Sequence, residues 1–513
     1  MYSTPILKVG TLVKMAVGGR RLGRVALLWA GIALAVAPGW LSGQNTSTAE
    51  KMRRASELVQ AGKPEEAIPI YQELTAAFPN EPAFGVDLAI TQYKAGRYRD
   101  AIGQCNALLK RQPDLFPAWL FLGASRFELG EAAGAVEALR KALTLQPGDR
   151  NARVMLADAQ LDQEQFAEAA AEFERAAQAM PDKPRILYGL GRSYEALAKD
   201  AFLRLEKAAP GSAEWLALGG DFELDRGQFA RAFQRYRQAL VLRPSFPGLH
   251  AAAALIYEKT GHPDWAATER AKEAPPGAAC GSQPLACEFA AGRLRDLAAA
   301  SAASPEALYW RSKAYRSLSQ AAYARLQELP QSPEKYEVEA ASDEMGSRYP
   351  EAAAAWKQAL QLSPGNLRIQ HRLALALCRA NDCASALPVI QDLLAREPPS
   401  AALNFLYGTA LNSTQQPGRA LEYLETAVKL DGSLLAARAA LGEAYLEAGK
   451  AELAIPQLEA AIADDPDGTR HYQLARAYQA AGKRERAAEV LRDYKEIRSR
   501  LQGEEPQITA PAN

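Results

Sequence analysis

Large apolar side chains such as Leu122, Leu139 and Phe173 recur at helical spacing along the chain. Small residues sit beside them where two helices must approach closely: Gly123 or Ala157 on one helix, Ala135 or Ala169 on the next. The pattern predicts amphipathic helices, and its punctuation predicts how they are joined. Pro79, Pro113, Pro147 and Pro181 stand 34 residues apart; Pro210 and Pro244 keep that interval, as do Pro330, Pro364 and Pro398, with Gly432 and Pro466 in the next two places. Proline stops a helix, and glycines such as Gly96, Gly130 and Gly449 can close the first helix of a unit in a left-handed turn. A fixed period of this length is the mark of stacked supersecondary units, each unable to bury its apolar face alone.

The unit ending at Pro147 contains Trp119, Leu122, Gly123, Gly130, Ala135 and Ala142. The unit ending at Pro466 contains Leu441, Gly442, Tyr445, Gly449, Ala454 and Ala461. Others keep the alanine of the second helix: Ala67, Ala101, Ala169, Ala232, Ala352, Ala386, Ala420 and Ala487. With proline near the end of each unit, this pattern resembles the tetratricopeptide repeat family over about residues 48–500. The resemblance implies an all-α fold: a right-handed superhelical solenoid of stacked antiparallel helix pairs.

Two segments depart from the period. The interval from Pro181 to Pro210 falls to 29 residues, and YEALAKDAFLRLEKAAP within it has no glycine turn. The same absence recurs in YRSLSQAAYARLQELP, ending at Pro330. The two segments correspond at a constant offset of 121 residues, Leu187 with Leu308, Tyr188 with Tyr309, Tyr194 with Tyr315 and Leu205 with Leu326. A modified repeat with one nearly continuous long helix therefore occurs twice, which predicts two related blocks, 45–270 and 305–500. A Pro/Gly/Ala-rich junction at 271–304 lies between them, with Gly292 as the turn of a truncated repeat. Residues 501–513 read as a disordered tail.

The N-terminal residues carry only basic charges, Lys8, Lys14, Arg20, Arg21 and Arg24, ahead of the apolar run VALLWAGIALAVA and a small-residue stretch. This order predicts a bacterial-type export signal at 1–44, starting at Met1 or Met15. The segment is either cleaved, leaving a periplasmic or secreted protein, or kept as an inner-membrane anchor. Extending the apolar run through Leu41 brings it nearer the length a membrane span needs.

In an exported chain, cysteine spacing acquires meaning. Cys280 and Cys287 bracket CGSQPLAC, Cys378 and Cys383 bracket CRANDC, and Cys105 occupies an apolar position alone. Two local disulfides and one buried thiol are expected, with free thiols as the alternative. Neither pair has zinc-ligand spacing or a nearby histidine, so no metal is expected.

Charge narrows the partner class. Sixty Lys and Arg are matched by sixty Asp and Glu, whereas a nucleic-acid partner calls for a basic excess. No HExxH, GxSxG, phosphate-binding loop or dinucleotide fingerprint is present, and His250, His262, His371 and His471 are scattered. Neither a catalytic residue nor a cofactor is assigned. The expected partner is a protein or peptide.

The resemblance implies binding along a groove lined by the first helix of each unit. Positions one helical turn apart supply Val86 and Tyr93, Leu120 and Phe127, Tyr188 and Arg192 in the N-terminal block. The C-terminal block supplies Phe405 and Asn412, then Tyr472 and Arg476. The first groove reads as apolar and aromatic, suited to an amphipathic helix or extended apolar segment; the second is mixed polar. The leading expectation is an exported scaffold in cell-envelope assembly or secretion. Two rivals are an accessory or carbohydrate-processing enzyme with its site at 271–304, and a structural envelope spacer.

Overall fold

A computed structural model of the protein describes residues 41–273, 283–397, 399–501 and 507–511. The expected signal falls outside these residues up to residue 40. Among the described residues no helix is long and apolar enough to cross a membrane. By contacts the chain forms two compact units, residues 1–200 with 312–331 and residues 201–311 with 332–513.

The first unit stacks antiparallel pairs: α1 (Leu41–Gln60) and α2 (Pro64–Ala77), α3 (Pro82–Lys94) and α4 (Tyr98–Arg111), α5 (Phe116–Glu128) and α6 (Ala132–Leu145), α7 (Arg150–Asp162) and α8 (Phe166–Ala179). It also holds most of the long helix α9 (Pro184–Ala208). The second unit continues with α10 (Ala213–Asp225) and α11 (Phe229–Leu242), α12 (Leu249–Lys259) and α13 (Pro263–Arg270), and a truncated pair, α14 (Pro284–Ala290) and α15 (Leu294–Ala299). A second long helix, α16 (Pro305–Glu328), follows. Then come α17 (Pro333–Met345) and α18 (Tyr349–Leu362), α19 (Leu367–Arg379) and α20 (Cys383–Arg396), α21 (Ala401–Ser413) and α22 (Pro417–Leu430). The stack closes with α23 (Leu435–Glu447) and α24 (Ala451–Ala461), α25 (Thr469–Ala480) and α26 (Arg484–Leu501).

Most pairs close as the glycine pattern predicts. Between α5 and α6, Gly130 has φ 77° and its N–H donates to the Phe127 carbonyl at 3.0 Å. The Glu131 N–H then reaches back to the Arg126 carbonyl at 2.9 Å, so the last carbonyls of α5 are satisfied. Glu164, Ser347, Asn381 and Gln415 hold the same left-handed place without glycine. Asn381, in the CRANDC turn, is of a residue type that favours this conformation; at the other three the geometry persists where the residue preference is overridden.

Close packing explains the small residues. A Cβ added to Gly123 would lie 2.6 Å from Leu139 Cγ and 3.3 Å from the Ala135 carbonyl oxygen. Ala67, Ala101, Ala135 and Ala169 are fully buried in the first unit, and Ala232, Ala352, Ala386, Ala420 and Ala454 in the second. Any larger side chain there would force the paired helices apart.

The long helices break this rule in a specific way. Where an ordinary repeat has its turn glycine, α9 has Ala198 and α16 has Ser319, and both remain helical. Without a turn, α9 has no second helix of its own to cover Gly191, the counterpart of Gly123. The second half of α16 takes that place: a Cβ on Gly191 would lie 2.2 Å from the Tyr323 ring. The two helices run antiparallel here, with Tyr194 and Tyr315 stacked at 6.0 Å between centroids. On either side, Ser312 Oγ donates to the Ala198 carbonyl and Ser319 Oγ to the Gly191 carbonyl, both at 3.0 Å. The offset of 121 residues that aligns the two segments maps each of these residue pairs onto the other, although the donor lies on α16 in both bonds, and maps Tyr194 onto Tyr315. The pairing of positions is thus isologous, as in a two-fold dimer, but made within one chain.

Packing therefore divides the chain differently from internal resemblance. Blocks 45–270 and 305–500 describe which segments are alike, whereas the first unit recruits residues 312–331 from beyond the junction. Within the junction, Gly292 with φ 74° turns the chain between α14 and α15. Phe289 then packs on Trp310 at 5.2 Å.

α26 runs to Leu501, and Tyr257 Oη donates to the Thr509 carbonyl at 2.6 Å, so residues 507–511 lie against α12. The Tyr257 hydroxyl holds this segment through that bond.

The cysteines also need correction. Cys378 and Cys383 are both free, with Cys383 Sγ directed at the Cys378 carbonyl oxygen 3.9 Å away. Burial, together with the neighbouring Cys383 thiol, raises the Cys378 pKa well above its ordinary value. The thiolate that disulfide formation requires is thereby disfavoured. Cys287 is disulfide-bonded, and Cys280 lies outside the described residues. Cys105 is a fully buried thiol whose pKa burial pushes up to about 12.

Candidate interaction surfaces

The first-helix positions of the first unit are drawn into its interior. Leu120, Phe127 and Tyr188 are buried, while Val86, Tyr93 and Arg192 are half-buried. Tyr93 meets Phe121 edge-on at 5.6 Å, and Arg192 lies 5.8 Å from the Tyr188 ring centroid. These aromatic side chains serve the contact between neighbouring repeats, because helices set this closely leave large rings little exposed surface.

Charge enters the same region where hydrophobic pattern gave no signal. Asp158 on α7 and Arg185 on α9 form a buried ion pair at 2.7 Å, with the Asp158 side chain 3% exposed. Burial nevertheless outweighs Arg185 and pushes the Asp158 carboxyl up to about 6. Burial likewise pushes Asp87 up to about 6. Glu128 is pushed up to about 7, by burial first, with Arg185 and the Tyr93 hydroxyl acting in the opposite sense.

The sign of the resulting pH dependence follows. A folded-state pKa above the unfolded value of about 4.3 means that the native chain keeps a proton the unfolded chain has lost. The Glu128 contribution is favourable below about pH 4 and is lost as pH rises through about 7. Glu128→Gln should therefore match the parent near pH 4 and exceed it at pH 8 by about 1–3 kcal/mol. Urea midpoints at the two pH values check this; equal stability at pH 8 would count against the buried carboxylate.

The second unit presents a different surface. Phe405 and Asn412 on α21 are half-buried, Arg476 on α25 is exposed, and Tyr472 is 47% exposed although its ring lies 5.5 Å from Tyr494. Between α21 and α23 lies a cavity of about 520 Å³ lined by Thr409, Asn412, Ser413, Gln415, Pro417, Ala440, Glu443 and Glu447. Thr409 Oγ1 and Asn412 Oδ1 are buried there without a hydrogen-bond partner. Burial and then the neighbouring Glu447 raise the Glu443 pKa, opposed by Arg476 and a hydrogen bond with Gln473. The wall is rich in acceptors and suits a ligand bringing hydrogen-bond donors. The candidate positions Asn412 and Arg476 lie near this cavity; Thr409, Glu443 and Glu447 complete it. Glu443 stands one 34-residue period after Thr409 and Glu447 one helical turn beyond it, a signal that apolar patterning overlooks.

The histidines are used between structural elements. His250 Nδ1 lies 2.7 Å from Glu269, His371 Nε2 2.8 Å from Glu397 and His471 Nδ1 2.6 Å from Asp465. His262 stacks on Trp265 at 4.2 Å. Among the described residues no group of three or more His, Cys, Asp or Glu side chains is placed to hold a metal ion.

Comparison with known proteins follows the repeats. One tetratricopeptide repeat model matches residues 58–122 and 126–186, and another matches residues 371–434 and 413–469. The Hsp70-Hsp90 organizing protein of Triticum aestivum is 28% identical over 110 residues, which span 21% of this chain and only 19% of that relative. MamA from Desulfovibrio magneticus RS-1 aligns at 21% identity over 34% of this chain and 97% of its own, with a TM-score of 0.30. YrrB, a tetratricopeptide repeat protein with an unusual peptide-binding site, aligns at 24% identity over 32% of this chain and 85% of its own, with a TM-score of 0.27.

Proposed function

We propose that this chain, which belongs to the tetratricopeptide repeat family, is a non-enzymatic, exported interaction scaffold working in cell-envelope assembly or secretion. Its binding surface is the polar groove of the second unit. The observation that carries this reading is the cavity beside α21 and α23, where Thr409 Oγ1 and Asn412 Oδ1 are buried without partners. A buried polar atom left unpaired costs about 1–3 kcal/mol, and a bound segment that supplies donors recovers it. Tyr472 and Arg476 stand exposed on α25, the next first helix along the groove, as anchors of the type that dominate interfaces.

The basic-then-apolar order of the first 44 residues supports export, and the repeat architecture supports a protein or peptide partner. An enzymatic site at 271–304 has less to draw on. Glu273 accepts hydrogen bonds from the N–H groups of Gly248 and Ala251 at 2.8 and 3.0 Å, capping α12, and Glu288 pairs with Arg293 at 3.8 Å.

The test is cross-linking and affinity capture from the native envelope with the intact chain and an Asn412→Ala, Glu443→Ala, Tyr472→Ala variant. The variant should lose its partner while its thermal midpoint stays near that of the parent. Undiminished capture would rule out this groove. Fractionation and N-terminal sequencing of the mature chain test export separately.

A further inference from the structure

Tyrosines at one place in the repeat share a hydrogen-bond habit. Tyr194 donates to Glu174 at 2.6 Å, Tyr445 to Glu425 at 2.7 Å, and Tyr478 to Glu459. In each case the acceptor lies about one helix pair earlier, 20, 20 and 19 residues back respectively. Tyr257 on α12 occupies the same place, but twenty residues before it the chain has Arg237. A guanidinium has donors only and cannot accept the phenolic proton.

Tyr257 is nevertheless fully buried, its ring fixed by Phe233 at 5.2 Å and Trp265 at 5.7 Å. With no carboxylate at 237, the hydroxyl is left open to an acceptor from outside the ordinary repeat. It receives one from a residue 252 positions away: the Thr509 carbonyl oxygen, at 2.6 Å. Around this bond residues 507–511 have no helical or strand assignment; Ile508 and Pro511 are half-buried, while Gln507, Thr509 and Ala510 are exposed.

We propose that α12 carries, at Tyr257, a binding site for an extended peptide segment, and that its resident ligand is the chain's own residues 507–511. The site reads a backbone carbonyl through the tyrosine hydroxyl and selects sequence through the places of Ile508 and Pro511. The Glu-to-Arg change at 237 is what opens this tyrosine to an outside acceptor. The site is separate from the α21–α23 groove and does not depend on the function assigned there.

The experiment compares the intact chain with a chain ending at Pro506, probed with a fluorescein-labelled peptide of residues 503–513. The shortened chain should bind the peptide saturably. Tyr257→Phe in that background should weaken binding by about tenfold, the scale of one hydrogen bond. The intact chain should show little binding, because its own segment competes at high effective concentration. A shortened chain with an unchanged thermal midpoint that fails to bind overturns the proposal, as does equal binding to the intact chain. If shortening unfolds the protein, carboxypeptidase digestion of the full-length chain decides. Tyr257→Phe should then release residues 507–511 about tenfold faster, and an unchanged rate overturns the assignment.

Discussion

Gly191→Leu should destabilise the chain by about 3 kcal/mol or more, the upper range for overpacking a filled core. At this position even a Cβ would lie 2.2 Å from Tyr323 Cε1 and 2.5 Å from Cζ. The ring has little room to retreat, since Tyr323 Oη donates to Glu195 at 3.0 Å and neighbouring Leu326 and Ala322 are buried. Leucine must therefore push α16 away from α9, breaking the paired bonds from Ser312 and Ser319 together.

Gly103 in α4 is the control. It is exposed, and a Cβ there would meet nothing within 4 Å. Gly103→Leu should be neutral or stabilise by up to about 1 kcal/mol, because leucine favours a helix over glycine. Adding Tyr323→Ala to Gly191→Leu should return part of the loss, since the clash and its relief share one contact. Urea denaturation of the parent, Gly191→Leu, Tyr323→Ala and the double variant measures this coupling; strict additivity would show that Gly191 and Tyr323 do not meet.

Arg185→Met should cost about 3–5 kcal/mol near neutral pH, the usual result of leaving one charge of a buried pair uncompensated. Asp158 is 3% exposed at its side chain, so water cannot replace the guanidinium. Its carboxyl already titrates near 6 with Arg185 present, and Arg185 acts to lower that value. Removing the arginine raises it further. The variant should lose more stability at pH 8 than at pH 5, where a proton neutralises the stranded carboxylate. Asp158→Asn in the same background should recover much of the loss at pH 8. Denaturant midpoints at both pH values provide the check, and a pH-independent loss would contradict a buried charge.

These two sites differ in how far sequence could reveal them. Gly191 stands in the register of Gly123, and the absent turn at Ala198 is visible along the chain. What covers Gly191 is not visible, because Tyr323 comes from beyond the junction and no local pattern couples the two positions. Asp158 falls on a first-helix position that sequence places in the groove, yet its burial depends on how tightly α7 and α9 approach. Tyr188 and Phe127 illustrate the same limit. Helical spacing assigns them to a face, while neighbouring helices decide whether that face is open.

The sequence by itself determined the repeat: prolines, alanines and glycines act through backbone conformation and short-range contact, so their spacing states the helix pairs directly. It also marked the two long helices and their likeness to one another. Tertiary structure alone decided that α16 covers α9, that the expected aromatic groove is packed, that Cys378 and Cys383 stay unbonded, and that the C-terminal segment returns to Tyr257. Each of these brings together groups whose placement depends on the whole intervening stack or on the close approach of neighbouring elements. Their energy comes from burial and hydrogen bonds that exist only once those elements meet, and residue order carries no periodic trace of them.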